Sequence, residues 1–326
     1  MLLWTSSRAL RGEQGGWGCH SGSCIPLPCR VAVMIEAVDL HFCYGDAEVL
    51  KGVNFKAERG KVTVLMGRNG AGKTTLLKHL NGLLRPKSGK VIIDGRELKY
   101  DRKSLLEVRK RVFYVFQNPD DQILSPTVWQ DVAFGPRNLG LKGERLERVV
   151  RNALEAVGLS GYEKRLCSTL SGGEKRRLAI ASALAMNPDY CIMDEPSANV
   201  DGEGLRMIAE IIRKLREEGK GVVVSTHDAD LAKEVGDYFY FMDDGKIVWE
   251  GEEFSYSVAR KLGIRSFSLG KVILAESKID DHPCFSADEL ERAVLKAFEG
   301  ETVVVLGRDD WVIKELEKYP LEVERL

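Results

Sequence analysis

The residues best suited to chemistry begin at Gly67-Arg68-Asn69-Gly70-Ala71-Gly72-Lys73-Thr74, followed by Thr75. They fit the spacing G-x-x-x-x-G-K-[ST] between an apolar run and a helical pattern, the context this motif requires. Glycines let backbone N–H groups converge on phosphate oxygens, and the helix N-terminus adds the positive end of its dipole. In this arrangement Lys73 is suited to hold β- and γ-phosphates and Thr74 to ligate Mg²⁺. The pattern points to a nucleoside triphosphate and leaves kinases, motors, GTPases and transporters all open.

A metal–phosphate site needs a carboxylate on a neighbouring strand. The run Tyr190 to Met193 ends in Asp194-Glu195. Asp194 suits the water shell of the metal, and Glu195 suits polarising an attacking water. A second anion site is offered by Leu170-Ser171-Gly172-Gly173-Glu174, with Ser171 as N-cap and two glycine amides opening a helix. One chain has no use for two cradles around one nucleotide. Two chains packed head-to-tail do, each serine loop covering the γ-phosphate held by Lys73 of the other.

The stretch Phe116 to Pro136, FQNPDDQILSPTVWQDVAFGP, combines amides, the pair Asp120-Asp121, prolines and aromatics with no clear period. Taken alone it reads as a metal site, a docking surface or a plain loop.

Positioning these residues requires strands that alternate with helices. Apolar alternation through Ile35, Ala37, Val38 and Leu40, and again through Val49, Val53 and Phe55, predicts short N-terminal strands. Lys61 to Met66, Val112 to Phe116, Tyr190 to Met193 and Val222 to Ser225 read as further strands. Helical patterns run over Lys73 to Leu84, Ser104 to Arg111, Gly143 to Val157, Gly173 to Met186 and Gly204 to Glu218. This order predicts an α/β fold with a mostly parallel sheet and active residues at strand C-termini. Beyond Phe254, a capping box at Ser286-Ala-Asp-Glu289, a strand at Val303 to Leu306 and a helix at Asp309 to Lys318 predict a small α/β appendage.

Bulk composition narrows the partners. Lys+Arg 48 against Asp+Glu 49 leaves a net charge of −1, so no basic field argues for nucleic acid. No apolar run reaches the roughly 18 residues that span a bilayer. Glutamine is scarce (Gln14, Gln117, Gln122, Gln130) while Glu, Lys and Arg abound, a bias that fits heat adaptation. Cys19, Cys24 and Cys29 with His20 form a zinc reading whose C-x4-C-x4-C spacing is unusual. Residues 1–33 have neither periodicity nor signal-peptide layout, and Met34 reads as the natural start.

With cradle, carboxylates and LSGGE assembled, the chain from about Ile35 to Gly251 resembles the nucleotide-binding subunits of ATP-binding cassette (ABC) transporters. The signature of that family is LSGGQ, and Glu174 replaces its last residue. The resemblance implies a P-loop NTPase fold: a RecA-like core sheet flanked by helices, an N-terminal antiparallel β region and a helical subdomain at about 118–170. The cassette would cover 34–254 and the appendage 255–326. It also implies ATP with Mg²⁺ as ligands. Tyr44 would stack on adenine, Gln117 would touch Mg²⁺ and the attacking water, Asp201 would bridge two subunits, and His227 would contact the γ-phosphate.

Fewer than a hundred residues separate Lys73 from Ser171, with one GKT and one SGGE in the chain. That excludes cassettes split by a long coiled coil and tandem translation-factor cassettes. The stretch FQNPDDQILSPTVWQDVAFGPRNLGL, the pair Arg176-Arg177 and SANVD resemble the energy-coupling-factor (ECF) importers, including the cobalt and nickel group. That resemblance implies a peripheral subunit on the cytoplasmic face of the membrane. It would form a homodimer, or a heterodimer with a paralogue, beneath an integral membrane coupling subunit and a substrate-binding membrane subunit. The cargo would be cobalt, nickel or a vitamin, and Asp120 and Asp121 would lie on a docking rim. Another kind of ABC transporter, or a non-transport ATPase, is the alternative.

Overall fold

The structure is a computed structural model that describes residues 33–198, 200–264, 271–275, 282–298, 302–307, 310–316 and 321–325. The leader up to residue 32, with its cysteines and His20, and Asn199 lie outside the described residues.

Two strands, β1 (Met34–Tyr44) and β2 (Ala47–Glu58), form a hairpin whose alternating residues Ile35, Ala37, Leu50, Val53 and Phe55 are buried. With β4 (Ser88–Ile93) and β5 (Arg96–Glu97) they make an antiparallel sheet in the order β2-β1-β4-β5. This sheet covers one face of the core.

The core sheet contains β3 (Val62–Gly67), β6 (Val112–Val115), β7 (Tyr190–Asp194), β8 (Gly221–Ser225), β9 (Tyr238–Asp243) and β10 (Lys246–Gly251). Its order is β10-β9-β3-β8-β7-β6, parallel except for β10. Every residue of β3, β7 and β8 is buried, as expected for strands covered on both faces. Strand alternation divides them between two cores. Val64, Met66, Cys191, Met193, Val222 and Val224 face the main helical layer. Leu65, Ile192 and Val223 face the N-terminal sheet together with Leu76, Leu77 and Leu80 of α1 (Lys73–Leu80). Each such aliphatic side chain contributes roughly 1.5–3 kcal/mol on burial.

The other helices of this region are α2 (Arg102–Arg111), α3 (Val128–Asn138), α4 (Gly143–Ala156), α5 (Gly172–Met186), α6 (Gly202–Glu217) and α7 (Ala229–Val235). Helices α3, α4 and α5 pack on one another, so the helical layer extends through Met186.

Helix α3 corrects the loop reading of Phe116 to Pro136. A 3-10 turn at Pro119–Asp121 is capped by Asn118, and α3 then opens at Thr127, whose Oγ1 accepts from the Gln130 N–H at 3.4 Å. Val128, Val132 and Ala133 are fully buried on its inner face. Pro126 before this short stripe and Gly135-Pro136 within it masked the period. Pro136 lies inside the helix and has no N–H to offer the Val132 carbonyl four residues back.

The C-terminal part begins with α8 (Tyr256–Lys261). It then forms a parallel sheet of β11 (Lys271–Ala275), β12 (Cys284–Ser286), β13 (Val303–Leu306) and β14 (Glu322–Arg325), in the order β12-β13-β11-β14. Helices α9 (Leu290–Phe298) and α10 (Asp310–Leu316) share a core with it through Ala293, Ala297, Val303, Val305, Val312 and Leu316. The Ser286 N–H donates to Glu289 Oε2 at 3.3 Å, as the sequence pattern suggests. Among the described residues, no helix is long and apolar enough to cross a membrane.

Candidate active site

The glycine-rich loop joins β3 to α1, with Gly67, Gly70 and Gly72 all at positive φ. Gly67 could not be replaced cheaply: a Cβ there would lie 2.2 Å from the Met242 carbonyl oxygen. Gly72 begins the helix from φ 103°, where a Cβ would meet Met242 Cε at 2.9 Å and the Val49 carbonyl at 3.1 Å. Strand β9 therefore fixes the loop from below.

A cavity of about 340 Å³ opens above this loop. Asn69, Gly70, Gly72, Lys73, Thr74, Thr75, Gln117 and Glu195 line it, together with Val49. Lys73 Nζ donates to the carbonyls of Gly67 (2.8 Å) and Arg68 (3.3 Å) and stands 3.5 Å from Glu195 Oε1. The other carboxylate oxygen, Glu195 Oε2, lies 2.7 Å from His227 Nδ1. Lys73 and Glu195 are buried, whereas the His227 side chain is 62% exposed. The topology explains this convergence. Gly67, Asp194 and Ser225 end the parallel strands β3, β7 and β8, and Gln117 lies just beyond β6.

Asp194 is buried, with a hydrogen-bond donor on each carboxylate oxygen. Tyr114 Oη donates to Oδ2 at 2.8 Å, and Ser225 Oγ donates to Oδ1. Burial, reinforced by the Asp194 charge, pushes the Tyr114 phenol well above its ordinary pKa, so Tyr114 stays a donor. Glu195 follows with φ 49°, a left-handed conformation that costs a residue with a side chain about 1–2 kcal/mol. Its N–H donates to the Ser225 carbonyl (3.0 Å) and lies 3.1 Å from Ser225 Oγ.

Arg176 of α5 holds the other side of this turn. Its Nη1 donates to the Glu195 carbonyl at 3.1 Å, and its Nη2 to the Gln117 carbonyl at 2.7 Å. Burial lowers the guanidinium pKa, and the carboxylates of Glu195 and Asp194 oppose that shift. Sequence reasoning missed the parts of Tyr114, Ser225 and Arg176 here. The signals were modest: a Tyr in β6, a Ser directly before Thr226-His227, and an Arg two residues past Glu174.

Leu170, Ser171, Gly172, Gly173 and Glu174 form the start of α5. Ser171 Oγ accepts from the Glu174 N–H at 3.3 Å, and Glu174 Oε2 accepts from the Ser171 N–H at 2.7 Å. This reciprocal cap requires only an acceptor oxygen at position 174, which explains why Glu can stand there. The Ser171 N–H holds the Glu174 carboxyl below its usual pKa, with help from Arg165. Ser171, Gly173 and Glu174 share a second cavity with Asp201, away from Lys73. Asp201 also caps α6 by accepting from the Gly204 N–H at 2.8 Å.

Tyr44 does not line the phosphate cavity. It stands half exposed at the end of β1, edge-on to Phe42 with ring centroids 4.9 Å apart. Arg68 turns away from the cradle: Nε donates to the Leu262 carbonyl (2.9 Å) and Nη2 to the Lys261 carbonyl (2.8 Å), at the end of α8.

Asp120 and Asp121 do not meet at a metal-like cluster. Asp120 pairs with Lys175 Nζ at 2.6 Å, while Gln122 Nε2 donates to the Ala179 carbonyl at 2.8 Å. Asp121 and Gln122 border a groove of about 480 Å³ walled by Leu83, Leu106, Phe116, Leu124, Phe134 and Leu139. Of these, Leu124, Leu106 and Phe134 are at least half exposed.

Comparison with known proteins gives the family. The ABC transporter family model matches residues 50–198. A Methanocaldococcus jannaschii protein named energy-coupling factor transporter ATP-binding protein EcfA is 47% identical over 270 residues, covering 80% of this chain and 97% of its own. A putative ABC transporter ATP-binding protein of Pyrococcus abyssi is 48% identical over 239 residues, covering 72% and 89%. Among solved structures, cbiO1 from Clostridium perfringens, part of the ABC transporter complex cbiONQ, superposes with TM-score 0.62. It is 35% identical, and the match covers 68% of this chain and 88% of that one. A dimeric ATP-binding cassette in a post-hydrolysis state with ADP and Pi gives TM-score 0.63 at 28% identity, covering 68% and 99%.

Proposed function

Because this chain belongs to the ABC transporter family as an ATP-binding, ATP-hydrolysing subunit, we propose that it energises an ECF-type importer with the residues around Lys73. The observation that carries this reading is the convergence of Lys73, Thr74, Gln117 and Glu195 on one cavity, with His227 against Glu195.

In the proposed reaction, backbone amides of Asn69 to Thr75 and the Lys73 ammonium hold the ATP phosphates. Glu195 orients a water and accepts its proton as the water oxygen bonds to the γ-phosphorus and the bond to the ADP oxygen breaks. His227, on the second Glu195 oxygen, contacts the γ-phosphate. Thr74 and Gln117 offer hard oxygen donors beside Glu195, a set that fits Mg²⁺ and would hold it, and Asp194 would serve its water shell. When bound, Mg²⁺ neutralises charge on the phosphate oxygens. Tyr44 is the aromatic surface offered to adenine.

Ser171, Gly173, Glu174 and Asp201 share a cavity apart from Lys73, which supports a head-to-tail dimer, with itself or a paralogue, that completes each site in trans. The apolar groove between α2, α3 and the Gln117 loop supports docking of a membrane coupling subunit. The chain would then be peripheral at the cytoplasmic face. The energy-coupling-factor name of its relatives favours the ECF class, with cobalt, nickel or a vitamin as cargo carried by a separate membrane subunit.

The test is Glu195→Gln. It should retain ATP binding and hydrolyse at least about a hundredfold more slowly. Turnover near wild type would remove Glu195 from the mechanism.

A further inference from the structure

We propose that Arg176 is a positioning residue that sets Gln117 and Glu195 relative to each other from the helix that begins at Ser171. The inference rests on the reading of Gln117 and Glu195 as hydrolytic groups and adds the part that aligns them.

Arg176 lies in the second turn of α5 and is only 5% exposed. A buried guanidinium ordinarily faces a carboxylate. Here the two ends of its fork reach main-chain carbonyls on two different segments, Glu195 at 3.1 Å and Gln117 at 2.7 Å. Those segments leave the adjacent parallel strands β7 and β6. Because the guanidinium is planar and rigid, one side chain fixes the separation of the two carbonyls.

Two further observations single out this contact. Glu195 sits at φ 49°, a conformation that persists only where its surroundings over-determine it. Ser225 holds its N–H side, and Arg176 holds its carbonyl side. Helix α5 also grips the loop after Gln117, through Lys175 to Asp120 and the Ala179 carbonyl to Gln122. The helix that presents the signature serine is therefore tied to the Gln117 loop and the Glu195 turn of its own chain. A shift at its Ser171 end reaches both.

The experiment compares Arg176→Lys and Arg176→Gln with wild type and Glu195→Gln, measuring kcat, KM for ATP, nucleotide affinity and melting temperature. Lysine keeps the charge but cannot span two carbonyls. Both Arg176 variants should lose at least about tenfold in kcat while ATP affinity changes less than about threefold. R176K should remain slow even where its melting temperature matches wild type. Full kcat in R176K, or a kcat loss that tracks melting temperature across both variants, overturns the proposal. If E195Q hydrolyses normally, the underlying reading fails instead, so the two failures are distinguishable.

Discussion

Lys73 makes three contacts, with the carbonyls of Gly67 and Arg68 and with Glu195, before any phosphate is considered. Its replacement should therefore act on binding. Lys73→Ala removes a charge-assisted contact to phosphate worth about 1.5–3 kcal/mol, so nucleotide titration should show affinity weaker by about ten- to a hundredfold. Unchanged affinity would mean that the loop amides alone hold the nucleotide. At this scale the sequence was most legible where function forces a local pattern. The spacing from Gly67 to Thr74 and the pair Asp194-Glu195 could be read directly. Arg176, Tyr114 and Ser225 could not, because their contacts cross 59, 80 and 31 positions in the chain.

At the scale of elements, α1 carries a titratable group within its buried face. His79 is fully buried, its Nδ1 lies 2.7 Å from the Thr75 carbonyl, and its ring meets Phe42 edge-on. Burial lowers its pKa from 6.5, against the opposing pull of carbonyl contacts. The unfolded chain therefore takes up a proton near pH 6.5 that the folded chain refuses until lower pH. Stability is retained above 6.5 and lost as pH falls from there toward the folded pKa. His79→Asn should flatten the fall of melting temperature below about pH 6.5, whatever it costs at neutral pH. An unchanged slope would place the titration elsewhere. Helix α3 shows why some elements escape sequence reading. Its apolar stripe of Val128, Val132 and Ala133 is brief, and its register depends on Asp131, which accepts from the N–H groups of Leu124 and Ser125. The short, fully buried strands β3, β7 and β8 were legible because both of their faces are mostly apolar.

At the scale of the whole molecule, a mostly apolar groove lies on the side where the Gln117 loop meets α2 and α3, separate from the phosphate cavity. Phe134 is half exposed there. Phe134→Asp should leave the melting temperature within about 2 °C, since exposed substitutions usually change stability by no more than about 0.5 kcal/mol. Co-purification with a membrane coupling subunit should be lost. Retained association would move the docking surface away from this groove. The surface was visible in the sequence only as an irregular run of amides, acids and aromatics. The groove forms because α3 turns that run back against β6 and α5.

The Arg68 side chain joins the phosphate loop to the last carbonyls of α8, at the threshold of the C-terminal sheet. A protein shortened to its catalytic region would thus be a different reagent from the whole chain. Cutting at residue 254 removes both acceptors of Arg68 and frees a cation borne by the phosphate loop itself. Rates and affinities collected on such a fragment would describe a cradle released from its tether.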